Sequence, residues 1–260
     1  MARAKILLGI SLLFLIVGSS LAEEVAKFPV LEYHLIGRPE GRWQRTPENF
    51  RSDLEWLYRN NYYPVNLRDL LNGFKTLPPG KRPVVLTFDD SSRGQFNYLP
   101  DGRLDPDSAV GILKEFHERH PKEWPLCATF FVLFETNAPD RNLFGQPEFA
   151  AKKLRQLTEW GMEVGCHTYS HDRLDRLSVA AAKKTLERSR QAIRKITGQE
   201  VVSLALPLGK YPRDRSVLAD FKLVAEVAGG MNPMKFDPLR VKRIQSLDSE
   251  WAIYLKRIIK

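Results

Sequence analysis

Two cysteines in 260 residues, Cys127 and Cys166, leave room for one disulfide at most. Cys127 opens one predicted strand and Cys166 closes the next, so in parallel neighbours the sulfurs would lie at opposite ends of a sheet. Free thiols are therefore expected rather than a bridge, with metal ligation by Cys166 a minor alternative because it adjoins His167. Histidine is scarce as well: there are five, and none follows His171. Beyond residue 22 no apolar run is long enough to cross a bilayer. No basic cluster carries interleaved aromatics and no nucleic-acid motif occurs, so a formal net charge of +9 does not imply a nucleic-acid partner. Internal repeats, low-complexity tracts and linkers are also missing, which leaves 23–260 as one expected domain.

What is present suits a globular chain with an ample core, 43% hydrophobic and 27% charged. Arg3 and Lys5 precede an apolar run over 6–17, and Ser20-Leu21-Ala22 offers a small-x-small cleavage site before Glu23-Glu24. These are the three parts of a secretory signal over 1–22, and an uncleaved anchor is the alternative. Export would place the mature protein in the periplasm, cell envelope or extracellular space. Losing Arg3 and Lys5 takes the charge from +9 to +7, still basic enough to suit an anionic envelope polymer or a solvated surface.

Strands and helices alternate. Strands are predicted over 28–36, 63–66, 83–88, 126–132, 162–167 and 201–206, with another over 222–228. Helices are predicted from Thr46 with Phe50, Leu54 and Leu57 on one face, then over 67–72, 108–120, 147–160 and 178–197. At least six strands joined this way imply parallel pairing with helices outside, an α/β barrel rather than a small open sheet. The 91–107 loop directly follows two carboxylates and is expected to form an active-site wall. Over 248–260, Trp251, Tyr254, Leu255, Ile258 and Ile259 share a helical face. Packing on the barrel is favoured for it over peripheral contact with a membrane surface.

The chemistry concentrates at two strand ends. The run 83–88 delivers Asp89 and Asp90, whose mutual repulsion calls for a metal, a cation or a shared proton. His167 and His171 are four apart, a spacing that puts both on one face of a helical turn. Two imidazoles and one carboxylate make a metal set with open positions, and the other carboxylate is left to act as a base. His117 and His120 lie at a polar helix end and are set aside.

At Thr87-Phe88-Asp89-Asp90 and His167-Thr168-Tyr169-Ser170-His171 the chain resembles the polysaccharide deacetylases of the NodB-homology type, over roughly 28–207. The resemblance implies a distorted (β/α) barrel and a divalent metal, commonly zinc. The implied reaction is hydrolysis of N-acetyl, sometimes O-acetyl, groups on amino-sugar polymers. It assigns Asp89 as general base and Asp90, His167 and His171 as metal ligands. Two departures stand out. The third motif reads Ala205-Leu206-Pro207-Leu208-Gly209, with Ala205 where an arginine orients the base; Arg93 or Lys210 is the expected substitute. The late Leu-x-His that supplies the catalytic acid is absent. However, Glu32-Tyr33-His34 resembles the Tyr-His strand of the biofilm poly-N-acetylglucosamine deacetylases, in which the motif order is circularly shifted. That resemblance assigns His34 as the acid. An O-acetyl esterase or other amidohydrolase, and a degenerate glycan-binding protein, are the alternatives.

Overall fold

The computed structural model describes residues 27–257, so the predicted leader and Ile258 and Ile259 lie outside the described residues. Eight strands run parallel: β1 (Val30–Tyr33), β2 (Tyr62–Val65), β3 (Arg82–Phe88), β4 (Thr129–Val132), β5 (Glu163–Cys166), β6 (Ser203–Ala205), β7 (Leu223–Gly229) and β8 (Val241–Gln245). Seven of them close a ring in the order β1, β3, β4, β5, β6, β7, β8 and back to β1. β2 pairs with the first half of β3 and β4 with its end. This is the expected α/β barrel, with the first and last strands as neighbours.

Helices α1 (Pro47–Arg59), α2 (Ala109–Arg119), α3 (Ala150–Glu159) and α4 (Val179–Thr197) cover the outside. No α-helix connects β6 to β7 or β7 to β8, only 3₁₀ turns and, before β8, the short strand Asn232–Pro233, which is the distortion. Local capping explains why the helix starts were predictable. Thr46, Ser108 and Ser178 each accept from a backbone N–H three residues on, and Gly198 closes α4 at φ 70°. Each such cap is worth about 1 kcal/mol. Some boundaries differ from expectation. The 126–132 strand joins the ladder only at Thr129, and the 147–160 helix opens as a 3₁₀ turn. The 28–36 strand breaks at His34. β8 was not expected at all.

Strand alternation builds the site. Phe88, Phe130, Val164, Cys166 and Leu204 pack outward against the helices. Val30, Val85, Phe131, Ala205, Ala225 and Val241 form a second cluster, inside the barrel. Two residues further along β1, β3 and β8 the same parity gives Glu32, Thr87 and Arg243, all buried. Two more give His34, Asp89 and Gln245, which line the mouth. Apolar floor, polar middle and reactive rim thus follow from a period of two.

The last helix, α5 (Asp248–Tyr254), packs on the barrel. Trp251 and Leu255 are buried, and the Trp251 ring meets Trp56 edge-on with centroids 5.7 Å apart. No helix among the described residues is long and apolar enough to cross a membrane. Both cysteines are free. Cys166 sits in the outer core, where burial pushes its thiol up to about 11, so it stands apart from the His167 cluster.

Candidate active site

β3 ends and the chain turns at once, with Asp90 at φ 75° and Ser91 at φ 42°. Two consecutive non-glycine residues in the left-handed region cost free energy and persist only where their surroundings fix them. Here Ser91 does the bracing: its Oγ donates to the Arg141 carbonyl and accepts from Leu133 N–H, and its carbonyl accepts from Phe144 N–H. The turn aims both carboxylates into a cleft of about 450 Å³, lined also by His34, Arg141, His167 and His171.

The histidine pair is not on a helical turn. His167 directly follows β5, and Thr168 (φ 64°) and His171 (φ 59°) curl the chain back in left-handed conformations. Asp172 N–H donates to Thr168 Oγ1 and holds the curl. The expected proximity survives by a different route, with the two rings 5.0 Å apart. His167 Nδ1 donates to the Ala205 carbonyl at 2.9 Å, leaving Nε2 as an acceptor facing Asp90 Oδ1 at 3.4 Å. His171 Nε2 is also 3.4 Å from that oxygen. Asp90 Oδ1 is buried and has no hydrogen-bond partner, while Oδ2 accepts from Arg141 at 3.1 Å. An orphaned carboxylate oxygen between two imidazole lone pairs, one ring fixed through its other nitrogen, fits a divalent ion with an N,N,O donor set.

Mutual electrostatics couple these groups. Burial raises the Asp90 carboxyl, but His167, His34 and His171 together hold it far below its usual range. His167 is raised, because Asp89 and Asp90 outweigh its burial. His171 falls to about 4, by burial and by repulsion from His167.

Asp89 is set differently. Arg243, fully buried on β8, donates to both its oxygens at 2.7 Å. Arg243 Nη1 also reaches Thr87 Oγ1 at 3.1 Å, and Nε reaches the Glu226 carbonyl at 2.6 Å. Nη2 lies 2.7 Å from Glu32 Oε1 as well. Burial alone would raise Asp89, and the guanidinium overcomes it, so the carboxylate stays ionised below its ordinary value. Glu32 receives the weaker share: burial and the Asp89 charge push it up to about 8 against the pull of Arg243. Glu32, His34 and Asp89 form a second cluster of metal-ligand type, but the guanidinium already supplies its cation.

The expected substitutes for the missing arginine are therefore wrong. Arg93 donates to Asn97, and Lys210 is exposed; Arg243 orients Asp89. The 91–107 loop is not a cleft wall either. It buries Phe96 and Tyr98 and braces the site from behind, with Gln95 Nε2 donating to the carbonyls of both His34 and Asp89. The walls come instead from Trp43, Arg141, Leu208 and Val227. Gly94 allows the loop this close approach, since a Cβ there would lie 1.9 Å from the Ile36 carbonyl oxygen. Gly94→Ala is expected to cost roughly 1–3 kcal/mol in urea unfolding, and to lower activity further by displacing His34.

His34 sits where the shifted acid was expected. A ring nitrogen lies within 4.8 Å of an Asp89 oxygen, and Trp43 packs on the ring at 4.7 Å. Burial lowers its pKa; Asp89 and Asp90 oppose this, and Arg243 and His167 add to it.

A family model for polysaccharide deacetylases matches residues 76–224. The chain belongs to the polysaccharide deacetylase family. It is 28% identical over 135 residues to the peptidoglycan-N-acetylmuramic acid deacetylase PdaC of Bacillus subtilis; the match covers 52% of this chain but 23% of that protein's length. Among solved structures, the Streptococcus pyogenes deacetylase PplD superposes with a TM-score of 0.64 at 22% identity, covering 84% of this chain and 92% of that one. IcaB from Ammonifex degensii does so at 0.62 and 20%, covering 87% and 94%. These two establish the fold of this deacetylase-family chain. The resemblance drawn from its Asp-Asp and His-x-x-x-His motifs holds.

Proposed function

We propose that the protein is an exported, metal-dependent hydrolase of carbon–nitrogen, non-peptide bonds that removes N-acetyl groups from an amino-sugar polymer of the envelope or matrix. The observation that carries this is the orphaned, buried Asp90 Oδ1 facing the Nε2 atoms of His167 and His171, beside a base held ionised by Arg243. The leader pattern over 1–22 supports export.

Asp90, His167 and His171 would hold the divalent ion, with zinc favoured by the two imidazoles. When bound, such an ion polarises an acyl carbonyl and lowers the pKa of water. Asp89 removes the proton of the attacking water; its fixed, fork-held orientation leaves an oxygen edge for that transfer. His34 then delivers a proton to the departing amine nitrogen, and Gln95 fixes the backbone of both residues. An O-acetyl esterase would need no strong acid, because an alkoxide leaves more readily than an amide nitrogen; His34 beside Asp89 favours the amide. The degenerate reading draws on a missing arginine and a missing acid; the Arg243 fork on Asp89 and the position of His34 in the cleft support the active enzyme instead.

The test is acetate release from N-acetylglucosamine oligomers by the purified mature chain, before and after chelation. Stoichiometric metal and release that vanishes on chelation and returns with zinc are expected. Unchanged release after complete metal removal would sink the metal role, and release from O-acetyl substrates alone would favour the esterase.

A further inference from the structure

The two carboxylates that line the cleft are already matched, Asp89 by Arg243 and Asp90 by Arg141. The other charged side chain of the lining is Arg42, and among the described residues no carboxylate pairs with it. Its guanidinium lies over the Trp43 ring, 5.1 Å from the centroid. Trp43 itself is 40% exposed at the cleft and leans on His34. A short parallel pairing of Leu35–Ile36 with Gln44–Arg45 holds the loop that carries both residues. Leu208, 57% exposed at φ 55°, adds an apolar surface to the same cleft. Past the histidines a polar groove of about 340 Å³ continues, lined by Thr136, Asn137 and Ser170 and sharing Arg141 and His171 with the cleft.

We propose that this cleft selects an acidic amino-sugar unit, with Trp43 stacking on the sugar ring and Arg42 receiving a carboxylate that the unit carries. The proposal rests on the deacetylase reading and narrows its substrate. An aromatic face beside a guanidinium presents an apolar plate and a carboxylate fork together. Repulsion argues in the same direction. On a neutral polymer of N-acetylglucosamine every turnover leaves an ammonium group, and a partly processed chain would bring that charge against Arg42 and Arg141. An acidic strand keeps compensating charge beside each new amine, and a mature chain of net charge +7, the +9 of the whole sequence less Arg3 and Lys5, attracts it from a distance.

The experiment compares three probes with the full-length mature protein. One is a strand in which N-acetylglucosamine alternates with its 3-O-lactyl, carboxylate-bearing derivative; the second is that strand with its carboxylates amidated; the third is a neutral N-acetylglucosamine oligomer. Acetate release is measured at low and high salt, and binding is followed independently by tryptophan fluorescence. The acidic strand is expected to exceed its amidated form by about tenfold in kcat/KM, a difference of about 1.4 kcal/mol, and salt should shrink the gap. Arg42→Gln should narrow the gap to about threefold or less, and Trp43→Ala should weaken binding of all three probes. Equal turnover of the acidic and amidated strands, or a gap that persists in Arg42→Gln, would overturn the proposal. If no probe releases acetate, the deacetylase reading fails, and the fluorescence comparison still decides whether the cleft prefers the acid.

Discussion

Asp89→Asn is expected to lower acetate release by roughly 10²–10⁴-fold while leaving metal content unchanged. Asn keeps the size of the side chain and the Arg243 contact through its one oxygen, but it cannot accept a proton from water. The Asp90, His167 and His171 set contains no atom of Asp89, so bound metal should stay stoichiometric. This separates the base from the ligands: Asp90→Asn should lose metal and activity together. The pH profile gives a second check. Burial lowers the His34 pKa, so its proton-donating form is depleted as pH rises, and the wild-type rate should decline on the alkaline side. His34→Gln should be slow throughout and lack that decline. Measured kcat against pH for both variants, with metal analysis on the same samples, would show it. Loss of metal from Asp89→Asn would instead make Asp89 a ligand.

The barrel and the two reactive strand ends were legible because their signals are local. An apolar, β-branched run that stops at two carboxylates reads as a buried strand whatever surrounds it. Thr46, Ser108 and Ser178 mark helix starts through bonds three residues long. β8 was illegible for the opposite reason. In Val241-Lys242-Arg243-Ile244-Gln245 the inward positions carry Val241, Arg243 and Gln245, so burial and polarity run against the usual alternation. Arg243 is hidden there because its partners, Glu32 and Asp89, lie 211 and 154 positions away in the chain. One signal was available: Glu32 inside an otherwise apolar strand demands a buried cation, and Ala205 removes the usual supplier. The helical geometry assumed for His167 and His171 failed because spacing alone cannot tell a helical turn from two left-handed residues.

Arg243→Met should be the most destabilising change at the site. It leaves Glu32 and Asp89 buried side by side with no guanidinium between them, and removing one partner of a buried ion pair typically costs about 3–5 kcal/mol. The loss depends on pH with a definite sign. Without Arg243 both native carboxyls have raised pKa values, so they hold protons that the unfolded chain has already released. Stability is then best at low pH and falls as pH rises from the unfolded pKa toward the raised folded values. Urea unfolding at pH 5 and pH 8 should therefore show a larger penalty at pH 8. Adding Glu32→Gln to Arg243→Met removes one of the two competing acids and should recover part of the stability, a coupling that a double-mutant cycle measures directly. It should not recover activity, because Asp89 would still lack the fork that keeps it ionised and aimed. Arg243→Lys retains a charge but loses the bidentate geometry, so stability should suffer less than turnover, and the acid limb of the rate profile should move to higher pH as Asp89 becomes a stronger proton holder. Equal unfolding penalties at both pH values would mean that Arg243 acts as packing alone. The pH difference is expected because a single cation from the last strand lies between the Glu32 carboxyl of the first strand and the Asp89 carboxylate at the end of the third.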